Sequence, residues 1–257
     1  MAYYLRTIDA GMTREVEKWV RAPKEVRREM KRAAKTNPTR EAQEKVNRDR
    51  ALRALVCLVN AIFCEGDYWL TLTYAREYAA TEEGCRKDYE KFMRKLRTLY
   101  KKAGVTLKYV AVCNEPGHRP HIHILCSKGA ELQKIAKLWE YGRIGIKLLD
   151  DSGQYRKLAE YIFRHGNAQE GKSWFCSKNL ERPKVKEREI NARHWREQVT
   201  APKGWMLDKT SPIERGVNPI DGTEFLRYTL IKIEKSGKCG GMRTRTRDNY
   251  GKLKGRR

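Results

Sequence analysis

The chain has 257 residues, and its 56 lysines and arginines exceed its 32 aspartates and glutamates, which gives a formal net charge of +24. Such an excess favours a polyanionic partner, above all nucleic acid. The longest apolar run, at residues 54–64, is too short to span a bilayer, and the first residues lack the apolar segment of a signal peptide. We therefore expect no membrane partner and a cytoplasmic location. The seven cysteines form no C-x-x-C pair, so we predict reduced thiols and no zinc finger.

Residues 1–62 are expected to form a basic helical N-terminal extension. Charged and apolar residues recur at helical spacing over 15–35 and again over 41–63, and a TNPT segment separates the two stretches. The second stretch has an apolar face from Leu52 to Phe63. This face should pack on the domain that follows.

Residues 63–180 alternate between strand and helix patterns, so we predict one α+β domain there. The pattern gives a strand at 69–74, a basic amphipathic helix at 82–103, a hairpin of strands at 107–115 and 120–127, a short helix near 131–140, a strand at 143–149 and a helix within 151–166. This order suits an antiparallel sheet with helices packed on one face, as in RRM-like or ferredoxin-like folds. The open face of the sheet would then carry the chemistry.

Residues 181–257 are expected to form a basic C-terminal region. One strand is predicted at 224–234. The Gly- and Arg-rich tail after it should be disordered in isolation, and it would either order on DNA or serve only as a solvated terminus.

Two histidines stand two positions apart in the run GHRPHIHIL, residues 117–125. Side chains alternate along a strand, so His121 and His123 should point to the same face and could hold one metal ion. Across the hairpin turn, Glu115 would lie opposite or diagonal to His121, within reach of that ion. Two nitrogens and one carboxylate with open coordination positions suit Mn²⁺ or Mg²⁺. Alternatively, Glu115 is a solvated turn residue.

Two tyrosines on the last helix of this domain compete for the role of nucleophile. Tyr155 begins an apolar stripe at helical spacing, which predicts that it packs in the core. Tyr161 falls at the margin of that stripe, one turn from Lys157 on one side and from Arg164 and His165 on the other. Neighbouring cations and a metal ion favour a phenolate, so Tyr161 is the predicted nucleophile.

Three ordered segments carry a resemblance: WLTLTY (69–74), RPHIHIL (119–125) and LAEYIFR (158–164). They resemble the three motifs of the HUH endonucleases, and most of all those of the rolling-circle replication initiator (Rep) proteins of phages, plasmids and integrative elements. The resemblance covers about residues 66–180. It implies that His121 and His123 bind the metal and that Tyr161 opens the Y-x-x-K motif. Arg164 stands where that motif has lysine, which keeps the charge but replaces a point charge by a planar fork of donors.

The resemblance also implies an activity. A metal-assisted transesterification by Tyr161 would nick single-stranded DNA at a replication origin and leave a 5′-phosphotyrosine and a free 3′-OH. The cofactor would be a divalent ion, with no nucleotide. Host helicase and polymerase are the expected protein partners, in the host cytoplasm. DNA contacts are expected at Lys157, Thr71, Thr73 and Arg119, although threonines in a strand and arginines in a turn are also common without any binding role.

Other functional classes remain open. A relaxase or a single-strand transposase would use the same chemistry for another purpose. A non-catalytic RRM-like nucleic-acid-binding protein would explain the charge and the fold and would treat the histidines as stacking or core residues. A histidine-triad hydrolase is excluded, since it needs a further histidine where this chain has Leu125. The sequence does not indicate an oligomeric state.

Overall fold

The structure is a computed structural model, and it describes residues 1–21, 40–78, 82–113, 121–166 and 174–233. Within these ranges the fold is α+β, with two antiparallel sheets and five helices. The strands are β1 (Ala2–Ala10), β2 (Thr13–Arg21), β3 (Tyr68–Tyr74), β4 (Tyr109–Cys113), β5 (His121–Cys126), β6 (Gly142–Leu148), β7 (Phe175–Cys176), β8 (Val185–Ile190), β9 (Trp205–Leu207), β10 (Glu214–Val217) and β11 (Glu224–Lys232). The helices are α1 (Arg40–Ile62), α2 (Glu82–Lys102), α3 (Leu132–Ala136), α4 (Arg156–Arg164) and α5 (Ala192–Arg196).

The first sheet, which we call the histidine sheet, has the strand order β6-β3-β5-β4-β7. Its neighbouring strands are all antiparallel, and the pairing of β3 with β5 sets Thr71 opposite His123 and Thr73 opposite His121. The predicted strands, the long helix α2 and the helix α4 are all present. The α+β fold class inferred from the sequence is confirmed.

Both faces of the histidine sheet carry helices, which differs from the expected single covered face. Leu70, Leu72, Ile122 and Ile124 lie in a core cluster together with residues of α2 and α3. On the opposite face, a second cluster joins Val110, Val112 and Leu125 to residues of α1 and α4. The physical reason is the apolar stripe of α1, which can be buried only against a second apolar surface. The face that carries the histidines is therefore partly covered by α1 and α4.

The second sheet, which we call the hairpin sheet, joins the beginning of the chain to its later part. Its strand order is β10-β11-β2-β1-β8, with β9 also paired to β11. One face packs a core of Leu5, Val16, Ile190, Leu226, Tyr228 and Leu230 beneath residues that include Trp195 and Trp205. The strand predicted at 224–234 is β11, and the other strands of this sheet were not anticipated from local patterns.

The predicted helix over residues 15–35 is wrong where the structure describes it, because residues 13–21 form β2. Val16 and Lys18 are buried and alternate with Glu15 and Glu17, a period of two that fits a strand. Residues 22–39 lie outside the described ranges. The second predicted N-terminal helix is confirmed as α1. The expected division into 1–62, 63–180 and 181–257 stays a prediction, although β1 and β2 share one sheet with β8 and β11.

Six of the cysteines lie in the described ranges, and all six are free thiols. In the register of the hairpin, Cys113 pairs with Ile122 and Cys126 pairs with Tyr109, so the two cysteines do not face each other. Among the described helices, none combines the length and the apolar character needed to cross a bilayer.

Candidate active site

The candidate site lies on the face of the histidine sheet that α1 and α4 cover. In antiparallel strands, directly opposite residues share a face, so the register of β3 against β5 places Thr71 beside His123. Trp69 precedes Thr71 by two positions on β3, and His121 precedes His123 by two positions on β5, so both belong to the same face. Alternation along two neighbouring strands thus gathers an indole, a hydroxyl and two imidazoles in one patch.

His123 lies at the centre of this patch. It is 5% exposed, and both of its ring nitrogens have partners. The Nδ1 atom lies 3.2 Å from Oγ1 of Thr71, and the Nε2 atom lies 2.8 Å from the hydroxyl oxygen of Tyr161. The indole of Trp69 stacks on the ring, with centroids 5.0 Å apart and planes inclined by 11°. The orientation of His123 is therefore fixed from three sides.

Burial makes His123 a neutral ring. Loss of solvation, followed by the positive charges of His121 and His165, lowers the pKa of His123 from 6.5 to about 3. A neutral imidazole carries one N–H and one lone pair, so it can donate through Nδ1 to Thr71 while Nε2 accepts the Tyr161 hydroxyl. A neutral ring is also the form that binds a metal ion.

Tyr161 reaches the histidines from α4. Its ring meets His123 edge to face at a centroid distance of 4.9 Å and meets Trp69 edge to face at 5.9 Å. Tyr155, the competing candidate, is buried in the cluster beneath α1, and its hydroxyl donates to the carbonyl oxygen of Asp150 at 2.7 Å. The structure thus brings Tyr161 to the histidines and places Tyr155 in the core.

The remaining predicted site residues have different surroundings. Thr73 pairs with His121 in the register, whereas Lys157 and Arg164 are exposed on α4. Glu115 and Arg119 lie outside the described residues. Thr71 was expected to touch DNA, and the structure places its hydroxyl against His123. The DNA contacts of these threonines, of Lys157 and of Arg119 stay predictions, as do the metal-binding role of Glu115 and the catalytic role of Arg164.

Two further residues belong to the patch: Trp69, to which sequence reasoning gave no role, and His165, to which it gave only the role of a cation near Tyr161. His165 lies one turn after Tyr161, with ring centroids 4.2 Å apart, and Trp69 covers the His123 ring. Each could have been found from spacing alone. His165 follows Tyr161 by four positions on a helix, and Trp69 precedes Thr71 by two on a strand.

The beginning of α4 is fixed by side chains from α1 and from the loop that precedes the helix. The backbone N–H of Tyr155 donates to Oδ1 of Asn60 at 2.8 Å, and the N–H of Arg156 donates to Oε1 of Gln154 at 2.8 Å. Asn60 in turn donates to the hydroxyl of Thr13 at 3.0 Å. This buried chain of hydrogen bonds ties α4 to the hairpin sheet.

Two glycines allow the close packing at that junction. Gly11, in the turn between β1 and β2, has φ +63°, and a Cβ atom there would overlap the carbonyl oxygen of Asn60. Gly153, just before α4, has φ +61°, and its Cβ would lie 2.6 Å from the Cβ of Met12. The β1–β2 turn is therefore wedged between α1 and the loop that leads into α4. Larger residues would force these elements apart.

The donor set available for a metal ion in the described part of the chain is a pair of imidazoles. The ring centroids of His121 and His123 lie 4.7 Å apart, and the two side chains leave the same face of β5. No cluster of three or more potential ligands occurs among the described residues, a search that does not include Glu115. The pair therefore fits an ion that takes further ligands from elsewhere.

One comparison with known proteins gives a match. Residues 67–165, which are less than half of the chain, match the model of the replication-associated protein ORF2 family. The matched segment runs from the start of β3 to the end of α4, so it contains His121, His123 and Tyr161. Neither a curated protein nor a solved structure matches the chain significantly. The family match supports a replication initiator with a role in DNA replication.

Proposed function

We propose that this protein is a replication initiator that nicks single-stranded DNA at an origin through a tyrosine transesterification. The observation that carries the proposal is the 2.8 Å distance between the Tyr161 hydroxyl and Nε2 of His123, on a face that also holds His121. A phenol, two imidazoles and a strongly basic chain together suit attack on a phosphodiester. The match over residues 67–165 supports the same class of protein.

His121, His123 and Glu115 would hold a divalent ion, Mn²⁺ or Mg²⁺. When bound, such an ion withdraws negative charge from the phosphate oxygens as the phosphorus is attacked. The neutral state of His123 suits this role, because a protonated ring has no lone pair to offer. Thr71 holds the ring in place through Nδ1, as outer-shell partners of metal-binding histidines generally do.

Tyr161 supplies the nucleophilic oxygen. Its attack forms an O–P bond to the 5′ side of the nick and breaks the bond between phosphorus and the 3′ oxygen. The proton lost by the phenol balances the one gained by the departing 3′ oxygen. The products are a 5′-phosphotyrosine and a free 3′-OH, from which a host polymerase can extend. Arg164 and Lys157, both exposed on α4, supply positive charge for the phosphates on either side of the nick.

The biological setting follows from these products. A free 3′-OH primes synthesis and the covalent link conserves the phosphodiester energy, so rolling-circle replication in the host cytoplasm is the proposed use. Host helicase and polymerase would be the partners. A relaxase or a single-strand transposase would give the same covalent intermediate, and the sequence at which the protein nicks would separate these uses.

The test is covalent capture. The full chain is incubated with Mn²⁺ and a pool of single-stranded oligonucleotides, and covalent protein–DNA adducts are measured on a denaturing gel. We expect Tyr161→Phe to remove the adduct completely, because a phenyl ring has no attacking oxygen. Tyr155→Phe is the matched control and should retain the adduct, since Tyr155 is buried in the core and its hydroxyl donates to a backbone carbonyl.

Two outcomes would contradict the proposal. An adduct that persists in Tyr161→Phe and disappears in Tyr155→Phe would show that the nucleophile is assigned to the wrong tyrosine. If no adduct forms with any oligonucleotide and His123→Ala weakens DNA binding, a non-catalytic nucleic-acid-binding protein is the better description.

A further inference from the structure

A large cleft lies, except for Arg156, outside the segment that matches the replication-associated family. Its volume is about 1950 Å³, and its walls come from the hairpin sheet, from α1 and from residues 174–183. The sheet face that lines it is the one opposite the apolar core of that sheet, so it carries polar and aromatic side chains. The proposed chemistry at Tyr161 does not use this cleft.

A row of aromatic rings crosses three neighbouring strands; two of its members, Phe225 and Trp19, line the cleft, and the third, Tyr4, lies beside Trp19. Phe225 of β11, Trp19 of β2 and Tyr4 of β1 stand opposite one another in the register. The rings of Tyr4 and Trp19 stack with centroids 5.4 Å apart, and all three side chains are partly exposed. Partly exposed aromatic rings in a row are the usual platform for unpaired bases.

An arginine lies against each ring of this row. The guanidinium of Arg227 is 3.9 Å from the centroid of Phe225, that of Arg6 is 4.9 Å from Trp19, and that of Arg21 is 5.0 Å from Tyr4. A guanidinium plane next to an aromatic ring can contact a base and its phosphate at once. The row therefore offers stacking and positive charge at the same points.

The charges of the cleft are divided between its floor and its rim. On the floor, Glu17 accepts from Arg6 at 3.1 Å, from Arg227 at 2.7 Å and from Arg53 of α1 at 3.2 Å, and it thus holds three cations with one carboxylate. The rim carries exposed cations that reach further into solvent. They are Lys45 and Arg50 on α1 and Lys178 and Arg182 on the segment after β7. A polyanion would meet these cations first.

The cleft also reaches the helix that carries the nucleophile. Arg156, the first residue of α4, lines it at one point. Trp174 lines it at another and contacts the ring of Phe163, two residues from Tyr161, at a centroid distance of 5.7 Å. The cleft therefore adjoins α4, the helix that also carries Tyr161.

We propose that this cleft binds the single-stranded DNA that flanks the nick, with bases on the Phe225–Trp19–Tyr4 row and phosphates on the rim cations. The cleft is a second DNA site, separate from the histidine sheet. Single-stranded DNA fits better than a duplex, because the stacking surface needs bases that are not already stacked inside a helix. The identity of the ligand rests on the proposed function, whereas the site itself rests on the hairpin sheet and α1.

The test separates binding from nicking by measuring affinity in full-length Tyr161→Phe protein. Fluorescence anisotropy is followed with a labelled oligothymidine of about 16 nucleotides over a range of salt concentrations. The double variant Arg50→Glu with Arg182→Glu should bind at least about tenfold more weakly, and the slope of log K against log salt should shrink by about 1.4 for two lost phosphate contacts. The control, Lys101→Glu with Lys102→Glu, makes the same charge change at exposed positions at the end of α2 and should shift affinity by less than about threefold.

Stacking is tested at Trp19. Trp19→Leu should weaken binding about fivefold or more, and Trp19→Phe, which keeps a ring, should restore most of the affinity. A general loss of structure would lower both variants alike and would also lower the thermal midpoint.

Equal losses in the two charge-reversal pairs would overturn the inference, because the effect would then be one of net charge. Unchanged affinity in the rim variant would overturn it as well and would assign the cleft to another occupant. Failure of the proposed function has a different signature, in which no adduct forms with wild-type protein while the rim and Trp19 variants still lose affinity.

Discussion

The two sheets solve the same packing problem in different ways. The histidine sheet packs apolar side chains against α2 on one face, and the hairpin sheet packs its apolar face against Trp195 and Trp205. On its other face, the histidine sheet keeps neutral rings close together under partial cover, with His123 only 5% exposed. The hairpin sheet instead carries charged side chains that run from strand to strand.

The charged face of the hairpin sheet is a ladder of alternating sign. Glu214, Arg227, Glu17, Arg6 and Glu187 stand on five neighbouring strands and pair in that order. Burial alone would raise the pKa of Glu17, but the guanidiniums of Arg53, Arg227 and Arg6 outweigh it, and the pKa is lowered. The comparison teaches that one sheet excludes charge around an imidazole and keeps it neutral, while the other balances charge and keeps a surface polar.

The largest expected effect tests whether the ladder depends on its centre. Glu17→Gln removes the carboxylate that three arginines share, and we expect the free energy of unfolding to fall by about 3 kcal/mol, as for a broken buried ion pair. Glu187→Gln at the edge of the ladder, where the side chain is 42% exposed, should cost less than about 1 kcal/mol. Urea denaturation of the two variants gives both numbers. Equal losses of unfolding free energy would mean that Glu17 stabilises the sheet no more than the edge residue Glu187 does.

A smaller effect tests the wedge between the two sheets. Gly153→Ala should lower the free energy of unfolding by about 2 kcal/mol, from the positive φ and from the clash with Met12. Gly104→Ala is the matched control, since Gly104 has φ +68° but no atom within 4 Å of its would-be Cβ, and it should cost about 1 kcal/mol. Gly153→Ala should also slow adduct formation, because α4 begins at this loop. Identical stabilities would show that the β1–β2 turn can move aside freely.

The effect confined to acidic pH concerns the neutral histidine. A ring whose pKa is about 3 when folded and 6.5 as a model value binds its proton more readily in the unfolded chain. Its contribution to stability is therefore complete above pH 6.5 and is lost as the pH falls from 6.5 towards 3, by at most about 1.4 kcal/mol per pH unit. His123→Gln should flatten the stability curve in that window. An unchanged slope would mean that His123 is not the group that titrates.

Local pattern was enough to predict the histidine sheet. The alternation in HIHILC gives a strand with both imidazoles on one face, and the stripe on α4 separates Tyr155 from Tyr161. Both signals are short-range, because the side-chain periods of strand and helix need only a few residues. The local pattern could not predict that α1 covers the histidine face, because the apolar stripe of a helix does not specify which surface it packs against.

The hairpin sheet escaped local reasoning for a related reason. The alternating charges of β2 also satisfy helical spacing, and what decides between the two is the pairing partner. That partner is β11, and the bond between Arg227 and Glu17 spans 210 positions of sequence. The anchoring of α4 is equally non-local, since Asn60 reaches Tyr155 across 95 positions. Single-residue features such as Gly11 and Gly153 acquire their meaning only once these distant elements meet.

The pairing of β1 with β8 and of β2 with β11 has a consequence during synthesis. At about 5–20 residues per second, the ribosome needs on the order of 10–40 s to make the 210 positions between Glu17 and Arg227. Until β8 is made the first hairpin has two open edges, and until β11 is made it still has one, and an open edge can pair with another extended chain. The charged side chains of Arg6, Glu15 and Glu17 sit on that hairpin, and charge is the usual protection of an open edge against aggregation. Charged residues of the ladder that stabilises the complete sheet thus also protect the β1–β2 hairpin against aggregation during synthesis.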